Sequence, residues 1–276
     1  MTSWQRTFPI VFLLLWSSGF VVLKTGLAYA DPLSFLALRY LCVVGALSLP
    51  ALWLRPAFPS TLQGWGALIA VGLLLQAGYF SFTYLSLRHG LTAGAVALIT
   101  SQQPILIGLL APAIAGERVS AARWAGLLLG VGGAAIVIGA NSSLGMTSYL
   151  GLLFGVLALI AMTASTLVEK RYAVPAHPVA ANLVQYAVGL AVAAPLAYCL
   201  EPMRIEWTVP LIGSLTYLVL ANSLLAISLL LAMIRQGEAS RVSALFFLVP
   251  PTTAVIAYLA LGEDQAPVSI IGMLLT

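Results

Sequence analysis

The sequence predicts an all-α integral membrane protein of ten transmembrane helices, arranged as two five-helix repeats of inverted topology. Three observations carry that expectation. The composition comes first: 61% hydrophobic residues, 7% charged residues and a mean hydropathy of +1.05 leave too little polar surface to coat a soluble globule of 276 residues. The second is an internal repeat. An ungapped offset of 146 residues lays Lys24 on Lys170, the two lysines of the chain, and also Pro32 on Pro178, Tyr40 on Tyr186, Pro56 on Pro202, Pro104 on Pro250, Gly116 on Gly262, Glu117 on Glu263 and Gly126 on Gly272. Prolines, lysines and glutamates bend or end membrane helices, so their coincidence at one offset reads as a duplicated unit. The third is the distribution of basic residues, taken up below.

The elements follow in order from apolar runs of about 20 residues, the length needed to cross roughly 30 Å of hydrocarbon. The first unit (1–147) supplies spans at 8–27, 32–54, 62–87, 91–115 and 120–140. The second (148–276) supplies 149–168, 178–200, 209–234, 238–261 and a short last one at 267–276, whose brevity suggests a native C-terminus beyond Thr276. Charges and helix stoppers mark the breaks: Arg55-Pro56, Arg88-His89-Gly90, Gly116-Glu117-Arg118, Glu169-Lys170-Arg171 and Glu201-Pro202. Helices are indicated, since barrel strands would be about ten residues long with alternating polarity. The first apolar run is expected to be a retained helix, with no signal-peptide cleavage site.

Arg6, Arg55, Arg118, Arg123, Lys170, Arg171, Arg235 and Arg241 fall on the side that holds the N-terminus; Lys24, Arg39, Arg88 and Arg204 fall on the other. Positive charge is retained in the cytoplasm, which places both termini there and makes the pI near 9.2 a report of topology, with no nucleic-acid partner implied. Five spans being an odd number, the second unit enters the membrane upside down relative to the first. Two such units can exchange conformations around a site between them, the architecture of alternating-access transport.

The stretch Leu15-Trp16-Ser17-Ser18-Gly19-Phe20 to Lys24, then Pro32 and Arg39-Tyr40, resembles the opening of EamA-type members of the drug/metabolite transporter superfamily. Pro104 followed by Gly116-Glu117-Arg118 and Gly126 is similar in the same way, with its echo in Pro250, Gly262-Glu263 and Gly272. The resemblance covers essentially the whole chain. The second unit departs from the first at Met162 for Trp16, Ser165 for Gly19 and Gln185 for Arg39. It implies a ten-helix exporter of small metabolites in the bacterial inner membrane, with amino acids as a frequent substrate.

Mid-membrane polarity marks the expected substrate pathway. On the third span Gln76, Tyr79 or Phe80, and Thr83 form one stripe at helical spacing, and Asn222 is the counterpart of Gln76. On the fourth, Thr100, Ser101, Gln102 and Gln103 precede Pro104; on the ninth, Ser243 and Phe246 precede Pro250. Trp16 and Ser17 on the first span, and Thr163 and Ser165 on the sixth, complete the set. Pro104 and Pro250 are expected to kink their helices, freeing the carbonyls of Thr100 and Phe246. Hydroxyls in such helices also bond to their own backbone, and amides to neighbouring helices. The glycine pairs Gly90 and Gly94, Gly126 and Gly130, and Gly151 and Gly155 have the spacing that lets helices approach.

Arg39 lies roughly 10 Å into the second span at 1.5 Å per residue, and its stem is expected to snorkel to the surface, as is that of Lys24. Glu117 and Glu263 fall at loop junctions and Arg241 at the cytoplasmic rim. No carboxylate falls at mid-membrane depth, so the usual proton or sodium relay is not expected; a uniporter or exchanger is, or coupling through backbone carbonyls. An enzyme is not expected. Ser17 and Ser18 have no histidine at their depth, neither lysine follows a Walker pattern, and Gly130-Val131-Gly132-Gly133 lacks the last glycine of a dinucleotide fingerprint. No cofactor or metal is implied: Cys42 and Cys199 are single, and His89 and His177 lack ligand spacing. Amides, hydroxyls and aromatics suit a zwitterion with an apolar side chain, so aromatic and other neutral amino acids come first. Hydrophobic cations, or a channel-like protein on the same fold, are the alternatives. Oligomeric state is left open.

Overall fold

The computed structural model describes residues 3–115, 125, 129, 148–172, 174–235 and 239–262. Among these the chain is helical, with one isolated antiparallel bridge between Ala30 and Ile205. Helices α1 (Ser3–Leu27) and α2 (Pro32–Leu54) are followed by a continuous span built from α3 (Leu62–Val71), a π-helix π1 (Gly72–Phe80) and α4 (Ser81–Arg88). Then come α5 (Ala93–Thr100) and α6 (Gln103–Ala115). After residue 147 the order is α7 (Tyr149–Tyr172), α8 (Pro178–Leu200), a span built from α9 (Val209–Tyr217), π2 (Leu218–Ala226) and α10 (Ile227–Arg235), and finally α11 (Ala239–Leu261).

Seven of these helical stretches are long and apolar enough to cross a membrane, from Thr7–Leu27 to Val209–Leu230, and Leu245–Leu261 is a shorter apolar helix. The expected span at 120–140, apart from residues 125 and 129, and that at 267–276 lie outside the described residues, as do Glu117, Glu263 and Gly126. Helix starts are set as the sequence dictates. Thr61, Thr92 and Thr208 each accept a bond from the backbone N–H three residues on, and Pro32 and Pro178 open their helices where a missing N–H costs nothing. Leucines and aromatics such as Leu49, Leu52, Trp53, Val209 and Leu259 face outward, the outer surface hydrocarbon would cover. The interior is a contiguous cluster that includes Phe12, Trp16, Phe35, Tyr40, Tyr79, Tyr84 and Tyr186.

The axis of the molecule is the contact between α2 and α8, which the 146-residue offset makes equivalents of one another. They run antiparallel. At one end the Glu201 carboxylate, just past α8, accepts from the N–H groups of Leu33 and Ser34 and from the Ser34 hydroxyl, each at 2.8 Å, and so caps the start of α2. At the other end His177, just before α8, donates its N–H to the carbonyl of Ala57 beyond the end of α2, at 3.2 Å. A matching exchange joins α1 to α11 on one side and α7 to α5 and α6 on the other.

Three expectations need correction. The third and eighth spans are not regular α-helices: each is π-helical over nine residues, and the two stretches coincide under the repeat offset. The fourth span does not kink at Pro104. The helix stops at Thr100, turns through Ser101 and Gln102, and restarts, leaving Pro104 at the second position of α6, where proline is tolerated. Its counterpart α11 runs unbroken through Pro250 and Pro251. The sixth span continues beyond residue 168 to Tyr172, which draws Glu169 into the helix as a buried side chain.

Candidate functional site

The π segments position the centre of the molecule. A π turn is wider than an α turn and shifts hydrogen bonding from i→i+4 to i→i+5, which turns more side chains inward per turn and weakens the claim on some carbonyls. Gln76, Tyr79 and Phe80 are all buried on π1, followed by Thr83 and Tyr84 on α4; the stripe expected to include Tyr79 or Phe80 includes both. Each π segment receives a tyrosine hydroxyl from the second span of a half. Tyr40 donates to the carbonyl of Gln76 at 2.6 Å, and Tyr186 to the carbonyl of Ser223 at 3.3 Å.

Trp16, Tyr79 and Phe246 come together from three distant parts of the chain. The Trp16 indole stacks on Tyr79 with centroids 6.2 Å apart and meets Phe246 edge-on at 5.8 Å, with Phe12 closing the group at 5.3 Å from Trp16. Tyr79 in turn packs edge-on against Phe80 at 4.8 Å. Asn222 lies on the other wall: its side chain presses on Gly19, where a Cβ would stand 2.5 Å from the amide nitrogen, and it donates to the carbonyl of Leu15 at 3.3 Å.

Arg39 overturns the snorkelling expectation. It is 1% exposed, and its guanidinium reaches across the interface between halves. Nε donates to the Ser223 hydroxyl at 2.9 Å, Nη2 to the Asn222 side-chain oxygen at 2.8 Å and Nη1 to the Tyr84 hydroxyl at 3.2 Å. The Phe80 ring lies beneath the guanidinium carbon at 4.7 Å, a cation–π contact. The side chain stays inside because π2 offers two adjacent acceptors there and Phe80 a face, a combination the bilayer surface cannot match. Lys24, by contrast, is half-buried in the last turn of α1.

The other expected residues divide. Gln76 is fully buried, and neither its amide oxygen nor its nitrogen has a hydrogen-bond partner among the described residues; the same holds for Gln185, the counterpart of Arg39. The Ser17 hydroxyl is likewise buried without a partner, while the Ser17 carbonyl accepts from Thr253 at 3.3 Å. Ser101 and Gln102 bond back to the carbonyl of Leu98, and Thr163 to that of Leu159, so these act as helix-end and backbone ligands. Gln103 ties the first half to the second through the Thr166 hydroxyl at 2.5 Å and the Met162 carbonyl at 3.3 Å. Ser165 is buried, Pro104 half-buried and Pro250 buried. The Ser243 side chain lies outside the described residues. Sequence reasoning missed Ser223 and Gln185 as partners of this centre, and read Tyr84 as a core or pathway aromatic without seeing its bond to Arg39. The signal was present in the offset, which puts two polar residues, Arg39 and Gln185, at the same depth in equivalent helices.

Comparison with known proteins accords with this architecture. A sequence profile of the EamA-like transporter family matches residues 7–139 and again 149–276. A protein of Salmonella typhimurium named as a probable amino-acid metabolite efflux pump is 25% identical over 96% of this chain and 90% of its own length. One of Escherichia coli with the same name is 22% identical over the whole chain and 93% of its own length. An uncharacterized transporter of Synechocystis is 28% identical over 95% of this chain and 84% of its own length. A solved crystal structure aligns with all of this chain and 94% of its own, with a TM-score of 0.72 at 18% identity, which shows a shared fold. The chain is therefore a multi-pass membrane protein of transport rather than catalysis, and it belongs to the EamA-like transporter family.

Proposed function

We propose that the chain is an alternating-access carrier in the inner membrane that exports aromatic and other neutral amino acids and related small metabolites, as a uniporter or exchanger. The reading takes ten spans in two inverted five-helix units, 1–147 and 148–276, with both termini cytoplasmic. The antiparallel packing of α2 on α8, equivalent helices of the two units, carries it, because a two-fold axis in the membrane plane requires that arrangement. The names of the Salmonella typhimurium and Escherichia coli relatives support the substrate class. So does the centre, where Trp16, Tyr79 and Phe246 offer an apolar aromatic wall beside amides and hydroxyls. A cationic drug is the weaker fit, since the charge buried in that centre is itself positive.

Uptake of labelled phenylalanine, tyrosine and leucine into proteoliposomes, with and without unlabelled amino acid inside, tests the proposal. Saturable uptake accelerated by preloading is expected. A flux that rises many-fold with an imposed proton gradient at constant potential would refute the uncoupled mechanism. Discrete single-channel currents, or no uptake of any amino acid by folded protein, would refute the carrier and the substrate respectively.

A further inference from the structure

We infer that Arg39 is the seat of a carboxylate on the transported solute, so that the carrier selects organic acids and zwitterions with an apolar side chain over amines of the same shape. The inference deepens the proposed export function and rests on it for the act of transport. A full charge held at 1% exposure in a membrane protein is costly unless something neutralises it. The groups that hold Arg39 are a serine hydroxyl, an amide oxygen, a phenol and an aromatic face, and its titratable neighbours are Tyr40, Tyr84 and Tyr186. None of them is a carboxylate. These contacts take three of its five N–H groups and, among the described residues, bring no counter-charge to it.

The guanidinium has five N–H groups, and one on each of its three nitrogens is taken by Ser223, Asn222 and Tyr84. That leaves one on each terminal nitrogen, and two terminal N–H groups are what an arginine uses to grip a carboxylate end-on. A second observation points the same way. The amides of Gln76 and Gln185 are both buried and without partners among the described residues, an expensive arrangement that a polar ligand would relieve. Phe80, under the guanidinium, touches Tyr79, which stacks on Trp16. A solute whose carboxylate sits on Arg39 therefore finds an aromatic surface within one side chain's reach. Because Arg39 belongs to the first half and its holders Asn222 and Ser223 to the second, a ligand there engages both halves at once, as alternating access requires.

Binding to the purified protein in nanodiscs of neutral lipid tests the assignment. The probes are phenylalanine, 3-phenylpropanoate, which keeps the carboxylate and lacks the amine, and 2-phenylethylamine, which does the reverse. Both carboxylates should bind saturably, and the amine at least about tenfold more weakly. Arg39→Gln, shown folded by gel filtration and circular dichroism, should lose that preference, and Arg39→Lys should keep part of it because it retains the charge without the fork. Equal binding of amine and carboxylates to the unsubstituted protein, no saturable carboxylate binding, or an undiminished preference in folded Arg39→Gln each overturns the assignment. The unsubstituted protein decides even if the variants do not fold. Arg39-dependent carboxylate binding without counterflow of any amino acid upholds the site and sinks the amino-acid reading; counterflow of phenylalanine and phenylethylamine at equal rates upholds the carrier and sinks the site.

Discussion

The two halves share a scaffold and differ in what they put at its centre. Both place a tyrosine from the second span of the half against a π-helical stretch of the third; the tyrosines and the stretches coincide under the repeat offset, while the accepting carbonyls, of Gln76 and Ser223, fall one residue apart. Beside that tyrosine the first half has Arg39 and the second Gln185. On the π stretch the first half has Gln76 and Ala77, the second Asn222 and Ser223. The charged side chain of one half thus meets the two acceptors of the other, while the converse meeting joins Gln185 to a stretch with one unpartnered amide. The difference teaches that duplication fixes the backbone device, and divergence of a few side chains puts a buried charge and its acceptors at one of the two equivalent crossings.

The sharpest way to break the comparison is to make the second half copy the first at its tightest point. Gly189 is the counterpart of Val43, yet a Cβ at 189 would stand 2.6 Å from the Gln76 Cβ and 2.9 Å from a ring carbon of Tyr40. Neither atom is the free end of a flexible chain. Gly189→Val should therefore force π1 away from α8, at a cost of about 1–3 kcal/mol or more. It is expected to give the largest fall in melting temperature and monodisperse yield in detergent. Gly45→Ala, with nothing within 4 Å of the added carbon, should melt within a degree or so of the parent. A Gly189→Val protein as stable as the parent would mean that the two crossings are interchangeable.

Much of the scaffold was legible in the sequence because membrane spans are long, apolar and punctuated by charge and proline. Seven of the expected spans recur with ends within a few residues, Leu62–Arg88 and Pro178–Leu200 among them. Trp16, Tyr79 and Phe246 were also legible as a set, since aromatics at mid-depth on inward stripes have few other places to go. The π segments were not. Apolar periodicity reports a stripe of 3.6, and a nine-residue widening changes it by less than the scatter of leucines around it. Arg39 was misjudged for a related reason. Depth from the helix end is a one-dimensional measure, and the acceptors that keep the side chain inside come from residues 183 and 184 positions later. Ser101 and Gln102 carry a second signal, because polarity before a proline also marks a broken helix whose own carbonyls they satisfy.

A smaller test concerns the tyrosines that hold the two π stretches. The bond from Tyr40 is 2.6 Å long and that from Tyr186 3.3 Å, so the first is the stronger. Removing either hydroxyl leaves a buried carbonyl with one fewer partner. Tyr40→Phe should cost about 1–2 kcal/mol, and Tyr186→Phe less than about 1. Thermal melts of the two variants side by side, with amide exchange across 72–80 and 218–226, would check both the order and its place. Equal losses would mean that the two π stretches depend on their tyrosines to the same degree.

The smallest expected effect separates the halves at the membrane surface. Glu201 and Arg55 are counterparts under the offset, each just past the end of its second span. Glu201 accepts two backbone N–H groups and a hydroxyl at the start of α2, where a negative charge also meets the positive end of the helix. Arg55 is exposed and closes its helix through its own backbone N–H, in a left-handed conformation with φ of 44°. Replacing Glu201 by alanine removes a cap and should cost about 1 kcal/mol, with Glu201→Gln intermediate because the amide keeps one acceptor. Replacing Arg55 by alanine removes no cap of the other half and should stay within about 0.5 kcal/mol. If both alanine variants melt alike, the carboxylate contributes no more than a solvated side chain, and the junction of α2 with α8 is held by the packing of the helices alone.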